Sequence, residues 1–160
     1  MVTFIDNGGY MVLVDQAQAL FEGPNNCAQA VFAPFADHFG LSSETALKIA
    51  TPFGGGMGHA GSICGAVSGG LMAIGLARGT AVGDKAHKDA CYSLAADFQA
   101  RFKEKHGDLT CPVLLGLDIR DPAQLAAVRE QNLFQSRCTP FVLDAVKITA
   151  VLLGIEVGER

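Results

Sequence analysis

Four residues of one type sit where chemistry can be done with them. Cys27, Cys64, Cys111 and Cys138 lie far apart in the chain, yet local signals put each in the first turn of a separate helix. Unpaired N–H groups and the positive end of the helix dipole meet there, and both favour a thiolate over a thiol. Burial alone gives no reason for cysteines to collect at helix starts. Cys64 also follows a loop with five glycines in eight residues, Gly54, Gly55, Gly56, Gly58 and Gly61. Such backbone can take φ > 0 and approach something closely. This makes Gly54, Gly55, Gly56 and Gly58 candidates for holding a cofactor and Cys64 the expected most reactive thiol. His59, in the same loop, can serve as a metal ligand or as a base for a thiol, the plainer alternative being a polar loop residue. Cys91 falls well inside a long helix and reads as a small buried hydrophobe. His38, His87 and His106 read as surface residues.

The elements that must position these residues are helical. Val12, Leu13, Ala17, Leu20 and Phe21 recur at helical spacing and Gly23-Pro24 closes that segment. Asn25 or Asn26 caps a second helix carrying Ala30, Val31, Phe35 and Phe39, in which Pro34 predicts a kink or an early break. A short helix over 43–50 precedes the glycine loop. From Ile63 to Ala77 runs an apolar helix in which Gly61, Gly65 and Gly69 recur every four residues, a smooth stripe where a neighbouring helix can come near. Asp84 caps a long helix that Gly107 stops. Thr110 caps a short turn at Cys111, Asp121-Pro122 opens a helix to about Leu133, and Cys138-Thr139-Pro140 is read as the start of the last. Apart from an ambiguous Phe4-Ile5 and the tail from Ile148 to Val157, nothing alternates with period two. The expectation is an all-α fold, one domain over residues 1–160, with six to eight helices.

Composition narrows the function. A net charge of −4 and twelve scattered Lys and Arg offer no basic face, so nucleic acid is not expected as a partner. No apolar run reaches the ~20 residues of a membrane span, and the N-terminus lacks a basic leader, so the expectation is a cytoplasmic protein that is not integral to a membrane. Its 49% apolar residues suit a homodimer or other homo-oligomer with a buried interface. The literal G-x-G-x-x-G from Gly56 to Gly61 has no strand before it and no βαβ pattern around it, and no Gly-Lys-Ser/Thr follows, which argues against nucleotide binding.

The motifs Asn26-Cys27-Ala28-Gln29-Ala30-Val31, Phe53-Gly54-Gly55-Gly56-Met57-Gly58 and Cys64-Gly65-Ala66-Val67-Ser68-Gly69, then Cys111 before Leu114-Leu115-Gly116 and Cys138 before Phe141-Val142, resemble the C_GCAxxG_C_C family of redox-active proteins. The resemblance covers nearly the whole chain. It implies a small prokaryotic protein with four characteristic cysteines, carried over here onto Cys27, Cys64, Cys111 and Cys138, with an unknown redox partner and an association with a transporter system. Cys91 has no place in that pattern.

Two chemistries stay open at this point. Thiol/disulfide pairing would make the chain an oxidoreductase or redox sensor, its pairs built by the fold because no C-x-x-C occurs. Convergence of the four sulfurs, with His59, on zinc or an iron–sulfur cluster would instead make it a metal-binding or electron-transfer protein. A helical interaction module with merely buried cysteines is the third reading.

Overall fold

The computed structural model describes residues 9–156. Eight helices form among them: α1 Gly9–Glu22, α2 Cys27–His38, α3 Ser43–Ala50, α4 Gly65–Arg78, α5 Lys85–His106, α6 Cys111–Leu115, α7 Pro122–Glu130 and α8 Leu133–Leu152. A 3-10 turn, Thr51–Phe53, and a glycine turn, Gly54–Met57, link α3 to the segment before α4. The described residues contain one isolated antiparallel bridge, Ile63 with Thr110, and no strand. The all-α expectation therefore holds. Phe4-Ile5 lies outside the described residues, and Ile148–Leu152 of the apolar tail continues α8.

The helix punctuation in the sequence acts as its chemistry dictates. Side chains of Asn26, Ser42, Asp84 and Asp121 accept the N–H groups of Gln29, Thr45, His87 and Ala123, each relieving an orphan donor at a helix start. Gly107 and Gly116 close α5 and α6 at φ 90° and 78°, a conformation an L side chain resists. Proline punctuates less. Pro34 does not end α2, which continues to His38, and Pro140 lies inside α8. The missing proline N–H leaves the carbonyls of Ala30 and Ser136 without their usual donor, yet packing on both sides holds each helix together.

Helix α2 is the hub, packed against α1, α3, α4 and α8. Its crossing with α4 is set by glycine. A Cβ on Gly69 would stand 2.8 Å from the Ala28 carbonyl oxygen and 2.9 Å from Val31 Cβ, and one on Gly65 would fall on the Cys27 sulfur. Gly65 and Gly69 of the expected stripe thus make a real contact, whereas Gly61 lies before the helix, at φ 68° and against Arg120. On the other side of α4, Gly70 faces Phe98 of α5 and Thr149 of α8. Phe35, Phe98, Phe102 and Ile74 are fully enclosed, each contributing about 1.5–3 kcal/mol by burial.

A second polar centre lies on α8, six residues beyond Cys138 and so about 9 Å further along the helix axis. Asp144, buried, meets Lys105 Nζ at 3.0 Å, His106 Nε2 at 3.1 Å and Lys147 Nζ at 3.7 Å. His106 is not the surface residue its sequence context suggested. Its ring packs on Phe102 and Phe141, with centroids 4.7 and 4.9 Å away.

Candidate functional site

Cys27 is the first residue of α2, and the residues around it exist to fix that helix start. Asn26 and Gln29 form a capping box: Gln29 N–H donates to Asn26 Oδ1 at 3.0 Å and Asn26 N–H donates to Gln29 Oε1 at 2.9 Å. The same side chains then reach outward. Asn26 Nδ2 donates to the Thr51 carbonyl at 3.0 Å, and Gln29 Nε2 donates to the Leu47 carbonyl and Thr51 Oγ1, both at 3.0 Å. The cap of one helix is thereby tied to the end of α3, where the glycine loop begins.

That loop turns left-handed. Gly55, Gly56, Met57, Gly58 and His59 have φ of 65°, 67°, 64°, 66° and 66° in succession, and Gly58 N–H donates to the Gly54 carbonyl at 2.9 Å. For the L residues Met57 and His59 this hand costs roughly 1–2 kcal/mol apiece; glycine at the other three positions is what makes the turn affordable. The turn sits between two cysteines. Gly55 presents its N–H to the Cys27 sulfur, and a Cβ on Gly56 would stand 2.7 Å from Cys111 Cβ. Of the four expected cofactor glycines, Gly54 lies against Asn26, Gly55 against the His59 ring, Gly56 against Cys111 and Gly58 near the Pro52 carbonyl, and none lines the cavity described below.

Cys64 and Cys111 are set by the bridge. Cys64 N–H donates to the Leu109 carbonyl at 2.8 Å and Cys111 N–H donates to the Ser62 carbonyl at 2.9 Å, on either side of the Ile63–Thr110 pair. Side chains alternate faces along paired segments, so Cys64 and Cys111 share the face opposite to Ile63 and Thr110 as diagonal neighbours. Asp108 holds the second segment in shape, its Oδ1 accepting from Leu109 N, Thr110 N and Thr110 Oγ1 at 2.7–2.8 Å. Cys64 is the N-cap of α4 and Cys111 the first residue of α6.

Cys138 departs from the sequence expectation. It sits in the second turn of α8, because Asn132, at φ 52°, already starts that helix at Leu133. Pro140, which suggested a start, is interior. Three of the four cysteines are at helix starts, and Cys138 owes its place to the face of α8 it occupies. Arg137 beside it donates from Nη1 to the Leu115 carbonyl at 2.6 Å, pinning α8 to the end of α6.

All four cysteines line one cavity of about 270 Å³, together with His59, Asn25, Asn26, Gln135 and the apolar Phe21, Pro24 and Phe134. No Asp, Glu, Lys or Arg is among its lining residues. Cys91 is apart from it and only partly buried at the rim of the core, less enclosed than expected. Ser68, one turn beyond Cys64, is buried away from the cavity.

The sulfurs are not equivalent. Cys27 is pulled down to about 7, first by the Cys64 thiol that hydrogen-bonds to it and then, against the opposing effect of burial, by the N–H groups of Gly55, Ala28 and Cys27 itself. Cys64 is pushed well above the ordinary thiol range by the same partnership and by burial. Burial, then the charge at Cys27, raises Cys111 to about 11; Cys138 reaches about 12 for the same reasons with Cys111 added. Cys27 is also the only one of the four not buried. Against the expectation that Cys64 is the most reactive thiol, the two shifts run the other way, down at Cys27 and up at Cys64. A helix start and a glycine loop do combine, but the loop gives its N–H to Cys27, and Cys64 supplies the proton of the pair.

Among the described residues, no group of three or more His, Cys, Asp and Glu is arranged to hold a metal ion. Cys27, Cys64, Cys111, Cys138 and His59 share a cavity without forming a ligand cluster.

Sequence reasoning found the four cysteines, His59 and a cap at Asn25 or Asn26. It missed Gln29 and Asp108. The spacing of Asn26 and Gln29 is a capping-box signal visible in the sequence; Asp108 two residues before Thr110 is an Asx-turn signal of the same kind.

No curated protein and no solved structure matches the chain. A family model does, that of the Putative redox-active protein (C_GCAxxG_C_C), over residues 25–152, which include every cysteine and the whole glycine loop. With that match spanning most of its length, and with the four motif cysteines gathered on one cavity, the chain belongs to the C_GCAxxG_C_C redox-active family.

Proposed function

We propose that the chain carries out thiol–disulfide exchange, with Cys27 as the attacking thiolate and Cys64 as the resolving thiol. One observation carries this reading: half-buried Cys27 lines the cavity, with backbone N–H groups of a helix start and a left-handed glycine turn lowering its thiol while the Cys64 thiol stands against it. A group that is both a thiolate near neutral pH and reachable is the one that attacks.

The substrate is a disulfide R–S–S–R′, small or bearing a narrow apolar group, since the cavity is about 270 Å³ with no charged Asp, Glu, Lys or Arg lining it. Cys27 attacks one substrate sulfur, forming Cys27–S–S–R and releasing R′S⁻. Cys64 then gives up its proton and attacks the Cys27 sulfur, forming Cys27–S–S–Cys64 and releasing RS⁻. Two electrons pass from the protein dithiol to the substrate. His59, the one lining side chain besides the cysteines with a titratable group, takes the Cys64 proton in this scheme. A reducing compartment such as the cytoplasm regenerates the dithiol.

The test is chemical. Fully reduced chain is treated with one equivalent of 2,2′-dipyridyl disulfide, quenched early with acid, alkylated and mapped by peptide mass spectrometry. The Cys27–Cys64 disulfide is the expected first product, with thiopyridone released in proportion. Early products that leave Cys27 alkylated contradict the proposal.

A further inference from the structure

Beyond the first pair, two more sulfurs face the same cavity and have no part in that exchange. We infer that Cys111 and Cys138 are a second dithiol that takes the disulfide over from Cys27 and Cys64, so that the cavity houses a two-stage relay. This rests on the exchange reading above.

Backbone geometry carries the inference. The Ile63–Thr110 bridge places Cys64 and Cys111 as diagonal neighbours on one face, with Cα atoms roughly 7–8 Å apart and side chains nearer. That is the upper edge of the ~7 Å reach of a disulfide, which suits a transient bond better than a resting one. The far side is equally fixed. Arg137 ties α8 to the end of α6, and Cys138 lines the cavity beside Cys111. Cys27 meets Cys64, Cys64 neighbours Cys111, and Cys111 in turn acts on Cys138. The four sulfurs surround one cavity, with Cys27 acting on each of the other three and Cys111 on both Cys64 and Cys138.

The steps balance without an outside oxidant. Cys111, losing its proton to solvent, attacks the Cys64 sulfur of the Cys27–Cys64 disulfide. Cys27 leaves as a thiolate, received by the N–H groups that held it before. Cys138 then attacks the Cys111 sulfur, and Cys64 departs with the Cys138 proton. The net result is one disulfide moved, one proton released and no electrons exchanged with the medium.

Its direction follows from the two environments. A dithiol stabilised in its reduced form has an oxidising disulfide. Backbone donors stabilise the Cys27 thiolate, whereas Cys111 and Cys138, raised to about 11 and 12, have no comparable support. The disulfide therefore settles on Cys111 and Cys138.

The same one-equivalent 2,2′-dipyridyl disulfide reaction, followed to completion at mildly alkaline pH in the full chain, tests this. The Cys27–Cys64 peptide pair should rise and then decay as Cys111–Cys138 replaces it, with the second exceeding the first by about tenfold or more at the end. Cys138→Ser should accumulate Cys64–Cys111, and Cys111→Ser should stop at Cys27–Cys64. A Cys27–Cys64 disulfide that persists in the unsubstituted chain, with Cys111 and Cys138 both alkylated, overturns the relay and leaves the exchange reading standing. If Cys27–Cys64 never forms, the exchange reading falls and the relay with it.

Discussion

The Cys27 and Asp144 centres both favour an anion in a largely buried place, by opposite means. At Asp144 the charge is met by side chains, Lys105, His106 and Lys147 within 4 Å. At Cys27 it is met by backbone N–H groups and a neighbouring thiol, with no lysine or arginine lining the cavity. A cation would bind the thiolate and block its approach to a substrate; peptide N–H groups stabilise it and leave one side open. Side-chain partners are also replaceable one at a time, whereas backbone donors are lost only when the backbone moves. The two centres should therefore respond differently to substitution.

The largest difference is expected from Cys27→Ser. Between about 7 and about 11 at neutral pH lie nearly four decades of thiolate fraction relative to Cys111, of which a nucleophilicity slope of about 0.4–0.5 returns roughly two. The reaction of the cavity thiols with a small disulfide should slow about a hundredfold, read by peptide mapping of each cysteine so that Cys91 is counted apart. Asp144→Asn should leave that rate unchanged.

Next come two glycines of the same helix. Gly65→Ala drives a methyl into the Cys27 sulfur, while Gly75 has nothing within 4 Å of an added Cβ. Overpacking should make Gly65→Ala less stable by ~1–3 kcal/mol and move the Cys27 titration upward, towards the ordinary thiol value. Gly75→Ala should gain up to ~1 kcal/mol from helix propensity and leave Cys27 alone. Denaturant melts with alkylation profiles distinguish the two. A stabilised Gly65→Ala with unaltered thiol chemistry would show that the close crossing does not hold the sulfur in place.

The smallest effect belongs to the second centre. Burial holds His106 below the ordinary histidine value, with Asp144 opposing the shift. The unfolded chain then binds more protons as pH falls through about 6.5, so stability declines there until pH is below the folded value. His106→Phe should flatten that part of the stability profile. The neighbouring lysines are more than 40% exposed, so replacing either one should change stability by less than about 1 kcal/mol.

Much of the fold was legible because helix signals are local. Caps at Asn26, Ser42, Asp84 and Asp121, and stops at Gly107 and Gly116, are each written within four residues. Pro140 misled because proline favours a helix start and only tertiary packing makes it tolerable inside α8. The site was legible in its parts and hidden in its pairing. Four cysteines and a glycine loop could be read off directly, yet which thiol receives the Gly55 N–H depends on where α2 and α4 cross. Nor do Met57 and His59 advertise a left-handed turn, since their side chains disfavour it. The Ile63–Thr110 bridge joins residues 47 apart in sequence and has no local signal.

The central claim is that Cys27, not Cys64, is the thiolate at neutral pH. The most direct measurement is the pH dependence of iodoacetamide alkylation at each cysteine of the reduced, metal-free chain, followed by peptide mass spectrometry. Cys27 should react first, with a midpoint at about 7, and Cys64, Cys111 and Cys138 should follow only at markedly higher pH. Cys64 or Cys91 modified ahead of Cys27, or a Cys27 midpoint at the ordinary thiol value, would contradict it.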